Sequence, residues 1–453
     1  MSTHTHPSAR RDFLKLSARL AALGLTGLGL GPARSFLVRE VRAAAQVTDY
    51  KALVCIYMFG GNDSNNMIVP VDTARYTAYQ QLRGGLTLGA SRLIGPIADG
   101  AGNPYGLHSA MPELHQLYAT GGVAFVLNVG ALNQPLTREQ YRSGASRPPN
   151  LFSHSDQTTQ AQAGTSDTVY SGWGGRLLDL FGAADSLSSV SVSSPALFLN
   201  GVDVRGNVIP PGSNMNLSGL SFWPPQAADA RRQAVNAMIL QDNGNPVREA
   251  ANRAFADGLQ LADTLQLSGN LPPLSEPFPT TSIGNQLKEV ARLIRVRSQM
   301  GPGRQVFFCS MGGFDTHASQ DGTHTSLLRQ LSAAMSAFAL ATVSLGLAQN
   351  VTAFTQSEFN RTMQNNGSGT DHAWGSHQIV IGGGVRGGIY GAMPTFAFGG
   401  PDDANDRGVW IPTIASSQFG ATLGCWFGAS PSELAWAFPN LSRFAAADLG
   451  FMA

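Results

Sequence analysis

Two short runs carry the residue types best suited to chemistry: Gly-Gly-Phe-Asp-Thr-His at Gly312–His317 and Gly-Thr-Asp-His-Ala-Trp-Gly-Ser-His at Gly369–His377. Together they hold three of the chain's nine histidines beside two aspartates. Carboxylate and imidazole groups at short spacing suit a borderline divalent cation such as zinc. Residues two apart in an extended segment face the same side, so Asp315 and His317 can address one centre. Asp371 and His372 are adjacent and need a bent loop to converge, which Ser368, Gly369 and Gly375 permit. The alternative is that Asp315 caps a helix and the histidines are satisfied within loops.

These runs need a scaffold, and the flanking sequence supplies one. Ala52–Phe59 is a continuous apolar run that ends in Gly60-Gly61-Asn62-Asp63. It has the length of a strand buried on both faces of a parallel sheet. Asp63 then falls just past the carboxyl end, where open α/β sheets hold their ligands. Gln305–Ser310 leads in the same way into the first chemical run, and Asn350–Thr355 leads into Ser357–Thr362, which contains Arg361. Ile283, Leu287, Val290, Leu293 and Ile294 recur at helical spacing, as do Leu327, Leu328, Leu331, Met335 and Phe338. Val123–Val129 adds a further strand after the helical Met111–Tyr118. Alternation of helix and strand predicts an α/β fold with a largely parallel sheet and helices on both faces. Residues 184–279 are rich in Ser, Asn, Pro and Gly, with a helical piece near Ala228–Ala262, and suit a cap or a structural insertion.

The chain has 453 residues, with 30 Lys plus Arg against 29 Asp plus Glu, so no basic field exists to draw nucleic acid or an anionic membrane. Charged residues are only 13% while glycine reaches 52 copies, a composition that fits an exported, loop-rich enzyme. Ala9–Lys15 holds Arg10-Arg11-Asp12-Phe13-Leu14-Lys15, which resembles a twin-arginine export signal. An apolar stretch from Leu16 to Leu30 and the small residues Ala43–Ala45 follow in the order such signals require. The expectation is a signal peptide over 1–45, handled by the twin-arginine machinery, and a mature periplasmic or secreted domain over 46–453 with no stable membrane anchor. Cys55, Cys309 and Cys425 are far apart in apolar surroundings and are expected to be buried packing residues.

The runs Gly60–Asp63, Leu107–Met111, Gly313–His317, Ser357–Thr362, Gly369–His372, Trp426–Gly428 and Phe438–Leu441 resemble the bacterial domain-of-unknown-function 1501 family. The resemblance spans almost the whole mature chain, with Asn360 standing where the family pattern usually has glycine. It implies an alkaline phosphatase-like or sulfatase-like α/β fold with two adjacent metal ions. On that pattern Asp315, His317 and His377 would hold one ion, while Asp63, Asp371 and His372 would hold a second together with a nucleophilic hydroxyl. His377 lies much closer to His372 than the usual last ligand does, and the Asp315–His317 spacing is short. Those departures also permit a one-metal site or a site that has lost its metals. The expected cofactor is one or two zinc ions, with magnesium, manganese or calcium as alternatives.

The superfamily's nucleophile falls in the stretch Asn150–Gln157, where Ser153 matches best and Ser155 follows closely. Both could instead cap a helix. Arg361 could hold a phosphoryl oxygen through its planar fork or form a surface ion pair with Glu358. The leading expectation is a hydrolase of phosphate esters, small-molecule or polymeric, working through a seryl intermediate. Sulfate esters are the near alternative, although Ser143–Arg147 lacks the proline of the sulfatase segment. A non-catalytic exported binding or assembly protein is the alternative from a different class.

Overall fold

The carboxyl ends of three neighbouring strands meet at one edge of the molecule, and everything chemical is attached there. The computed structural model describes residues 49–453 apart from 168–169, 183–184, 214–217, 242–243 and 298–302. The segment expected to be an export signal lies outside the described residues. The strands in chain order are β1 Lys51–Met58, β2 Ile68–Pro70, β3 Leu93–Ala98, β4 Pro104–His108, β5 Val123–Gly130, β6 Ser189–Ser191, β7 Asn207–Val208, β8 Arg304–Met311, β9 Val351–Gln356, β10 Arg361–Asn365, β11 Thr370–His372, β12 Ser376–Gly382, β13 Gly388–Tyr390 and β14 Ile414–Ala415.

The main sheet has nine strands in the order β13-β5-β12-β9-β1-β8-β6-β7, with β14 also on β5. β1 pairs in parallel with β8 on one side and β9 on the other, in a register that sets Tyr57 opposite both Ser310 and Gln356. The three strands therefore end level, which brings Gly60–Asp63, Gly312–His317 and Ser357–Arg361 together. β12 alone runs antiparallel to both its neighbours, β5 and β9. Its orientation follows from its connection. The chain stays at the carboxyl edge through the β10–β11 hairpin and enters β12 after three residues, too short a link for a parallel crossover.

Alternate residues of β1 feed two cores. Ala52, Val54, Ile56 and Met58 pack with Leu287, Val290, Leu331, Met335 and Phe338 on one face. Leu53, Cys55 and Tyr57 pack with Trp173, Leu177, Phe427 and Leu434 on the other. Double-sided burial is why the strand reads as unbroken apolar sequence rather than alternating. Each fully buried aliphatic side chain stabilises the fold by about 1.5–3 kcal/mol. The helix Gln320–Ser344 is long and apolar enough by composition to cross a membrane, but half of its apolar window is buried in the fold.

Within residues 184–279, β6 and β7 extend the sheet edge beyond β8, and the helix Pro246–Gly269 contributes Leu261 and Leu265 to the first core. This stretch is thus partly scaffold. Cys55 and Cys309 are buried as expected, whereas Cys425 is exposed on the helix Ser416–Phe427. Its apolar sequence neighbours face inward while its own helical position faces out.

Candidate metal centre

Gly60 fixes where the strand ends meet. Its φ is +117°, and a Cβ there would lie 2.2 Å from the Asp315 backbone nitrogen. Only glycine permits that approach. Its N–H donates to Glu358 Oε1 at 2.7 Å and its carbonyl accepts from Arg361 Nη1 at 3.1 Å, so one residue after β1 touches the loops after β8 and β9. Gly369 makes a second close approach, since a Cβ there would sit 2.2 Å from the His317 carbonyl carbon. That contact presses the β10–β11 hairpin against the first chemical run. Arg361 and His372 face each other across the hairpin.

Asp315 is the hub. Its Oδ1 accepts from Arg361 Nη1 at 2.6 Å and lies 3.1 Å from His317 Nε2 and 3.3 Å from His372 Nε2. Its Oδ2 lies 3.5 Å from His154 Nε2. The two histidine nitrogens, His317 Nε2 and His372 Nε2, are 3.1 Å apart. Tetrahedral zinc with bonds of about 2.0–2.1 Å sets its ligand atoms about 3.3 Å from one another, so this triangle has a metal-ligand edge length. Donor atoms of His154, Asp315 and His372 also lie within 4.8 Å of one another.

Each of the three rings is also held from behind by an oxygen at its Nδ1. His372 Nδ1 is 2.8 Å from the Phe152 carbonyl, His154 Nδ1 is 2.9 Å from Glu358 Oε1, and His317 Nδ1 is 3.3 Å from Asp371 Oδ1. A carbonyl or carboxylate oxygen only accepts, so each Nδ1 can donate to the oxygen behind it, and each Nε2 either donates to an Asp315 oxygen or, with its proton displaced, offers a lone pair to a cation. This is the arrangement by which outer oxygens hold metal-ligating imidazoles. Phe359 packs against two of the rings, with centroids 4.7 Å from His372 and 4.9 Å from His154.

The titration of these groups follows their partners. The Glu358 hydrogen bond raises His154 above the ordinary imidazole range. Burial lowers His372, against the pull of its bond to the Phe152 carbonyl. Burial would raise Asp315, but the Arg361 guanidinium overrides it and holds the carboxyl below its usual range. Arg407 beside Asp371 likewise holds that carboxyl low.

The residues singled out in the sequence divide. Asp315, His317 and His372 come together at the hub, whereas Asp371 stands behind His317, bonded to Arg407 Nη2 at 2.5 Å. Asp63 is buried and spends its carboxylate on Arg83 and Gln320. Among the described residues no imidazole bonds it. His377 is buried on β12, where its Nδ1 accepts the Asn128 N–H at 3.0 Å. It is not among the groups that converge on Asp315. Arg361 forms no surface pair with Glu358: its guanidinium is buried on Asp315, Gly60 and Thr370.

Ser153 caps the helix His154–Ala163, accepting the Asp156 N–H and donating to Asp156 Oδ2 at 2.5 Å. Ser155 is exposed, with its hydroxyl 3.2 Å from that of Ser153. Three participants escaped the sequence: His154 as a donor at the hub, Glu358 as its buried partner and Arg407 behind Asp371. The short Ser-His segment and the acidic residue straight after β9 were the signals available.

Fold and centre together define an α/β protein with a histidine–aspartate cluster at the carboxyl edge of its sheet. The chain belongs to the family described as protein of unknown function (DUF1501), which matches residues 50–407. No curated protein matches it. Among solved structures it is similar to Ps i-CgsB in complex with k-i-k-neocarrahexaose, at 9% identity over 84% of this chain and 73% of that chain, with a TM-score of 0.35. It is also similar to PsFucS1 sulfatase from Pseudoalteromonas sp., at 10% identity over 87% and 72% of the two chains, with a TM-score of 0.34. A third is the phosphonate monoester hydrolase of Agrobacterium radiobacter, at 10% identity over 84% and 74%, with a TM-score of 0.33. Likenesses this loose carry no residue roles across.

Proposed function

We propose that this chain is an exported, metal-dependent hydrolase of phosphate esters that works through Ser153. The observation behind it is the set of three Nε2 atoms, each ring held by an oxygen at its Nδ1, that converge on one carboxylate. Asp315, His154, His317 and His372 would hold the ion. A divalent cation there supplies Lewis-acid stabilisation of the charge that develops on an ester oxygen.

Ser153 lies between Phe152, whose carbonyl bonds His372, and His154 itself. Its hydroxyl already donates to the Asp156 carboxylate, which can take the proton as Oγ attacks phosphorus. A P–O bond to Ser153 forms, the bond to the leaving alcohol breaks, and water later releases phosphate from the serine. The start of the ten-residue helix favours the anionic substrate through the positive end of its dipole. Arg361, spent on Asp315 and backbone carbonyls, orients the hub rather than the substrate. Phosphate is preferred to sulfate because Ser143–Arg147 lacks a proline.

Ser153→Ala should abolish turnover of a generic aryl phosphate while retaining bound metal, and Ser155→Ala should have a mild effect. The reverse pattern would move the role to Ser155. Full activity in both variants would reject a seryl intermediate. Export rests on Arg10 and Arg11, and lysine at both positions should leave the precursor in the cytoplasm; normal export of that variant would remove this part of the proposal.

A further inference from the structure

We infer that the centre takes one divalent cation and not two, because buried guanidinium groups already supply the positive charge on the side where a second ion would need ligands. The inference rests on the metal-binding reading of the site proposed above. Asp63 is the one carboxylate beyond β1 that could anchor a second ion, and protein donors already hold its Oδ2. Arg83 Nη2 and Gln320 Nε2 both donate to its Oδ2. Arg83 has a buried side chain with no exposure, and its other N–H groups donate to Asn66 Oδ1 at 3.0 Å and to the Thr362 and Met363 carbonyls at 2.8 and 3.2 Å. It cannot swing away without leaving a buried charge and several carbonyls unpaired.

The same chain of bonds continues to the hub. Thr370 Oγ1 donates to Gln320 Oε1 at 2.5 Å, and Arg361 Nε donates to Thr370 Oγ1 at 3.3 Å. Arg361 ends on Asp315. Burial, and then the charge of Arg361, hold the Arg83 guanidinium below its ordinary range. A second dication on Asp63 would face the fixed positive charge of Arg83 directly. Asp63 Oδ1 does lack a hydrogen-bond partner, but its carboxylate is surrounded by the donors Arg83 and Gln320 rather than by further lone pairs. Asp371 is held by Arg407, Asn366 and His317, and Glu358 by the Gly60 N–H, His154 and Ser357. What remains for metal is the group of His154, Asp315, His317 and His372, with His154 as a ligand in its own right.

The test is metal content and affinity of the purified mature protein, stripped with chelator and reloaded with zinc alone. Elemental analysis should give one zinc per chain. His154→Ala should weaken zinc binding by at least about tenfold, and Asp63→Asn should change it by less than about threefold. Two zinc ions per chain, falling to one in Asp63→Asn, would overturn the inference, as would none at all or an affinity unchanged in His154→Ala. Should Asp63→Asn fail to fold, wild-type stoichiometry and His154→Ala still decide. One zinc without phosphatase activity would sink the hydrolase proposal and leave this inference standing. Two with activity would do the opposite.

Discussion

His154, His317 and His372 differ from His108, His324 and His377 in which ring nitrogen the protein has consumed. In the first trio Nδ1 faces a protein oxygen and Nε2 faces Asp315. Two of the second trio are turned the other way: His108 Nδ1 accepts the Ala110 N–H and His377 Nδ1 accepts that of Asn128, each at 3.0 Å. His324 spends its Nε2 on Asn62 Oδ1 at 3.0 Å. Burial drives these three down, His108 to about 4 and His324 and His377 to about 3, so they stay neutral inside the fold. Residue type alone is therefore no guide to chemistry. A histidine is available when a ring nitrogen faces other ligand atoms at an exposed edge, and structural when buried protein groups have already used it.

The contrast can be broken most forcefully at the hub. His372→Ala should cost more than about 100-fold in zinc affinity, above the range typical of outer partners, with circular dichroism unchanged. Retained affinity would remove His372 from the centre. Next come the oxygens behind the rings. Glu358→Gln and Asp371→Ala should each lower zinc affinity by about 10- to 100-fold in the same titration, and no change in Asp371→Ala would free His317 from its assigned orientation. On the structural side, His377→Leu should destabilise the protein by about 1–3 kcal/mol in urea denaturation, because the buried Asn128 N–H loses its acceptor. Zinc affinity should move less than twofold. A large loss would instead place His377 in the centre, as its sequence position first suggests.

The last test is pH. The folded pKa values of His324 and His377 are depressed, so the unfolded chain takes up protons first as pH falls below about 6.5. Their contribution is present above that value and lost on acidification, by at most about 1.4 kcal/mol per pH unit for each. His154 has the opposite sign. Its folded pKa is raised, so its contribution is complete below about 6.5 and lost as pH rises through the folded value. Urea denaturation of metal-free protein from pH 4 to 8 should show the acid-side loss, shallower in His377→Leu. The weak alkaline-side loss should vanish in Glu358→Gln.

The scaffold was largely legible because it is periodic. Ala52–Phe59 and the helical rows from Ile283 and Leu327 carry their burial in their spacing, and their packing matches. β12 hid its direction, since an apolar run has no polarity and only its short link to β11 reverses it. At the site, Asp315, His317 and His372 were found because they cluster in sequence. Their supports are remote: Glu358 lies 204 residues from His154, and Arg83 lies 20 from Asp63 and across a helix from the strand that presents it. Pairings across such gaps leave no local pattern. Asp63 shows the cost, as its position past a strand end suits a ligand equally well before its partner is known.

Gly60 has a bearing on how this family can be re-engineered. It joins three loops through a nitrogen, an oxygen and a bare α-carbon, so it has no tolerable replacement and no neighbour that could compensate. Variation in a mutant library should accordingly be spent away from it and from the hub, for instance on the exposed residues 142–147, while position 60 should be held invariant. A screen that randomised it would return unfolded chains and say nothing about substrate choice.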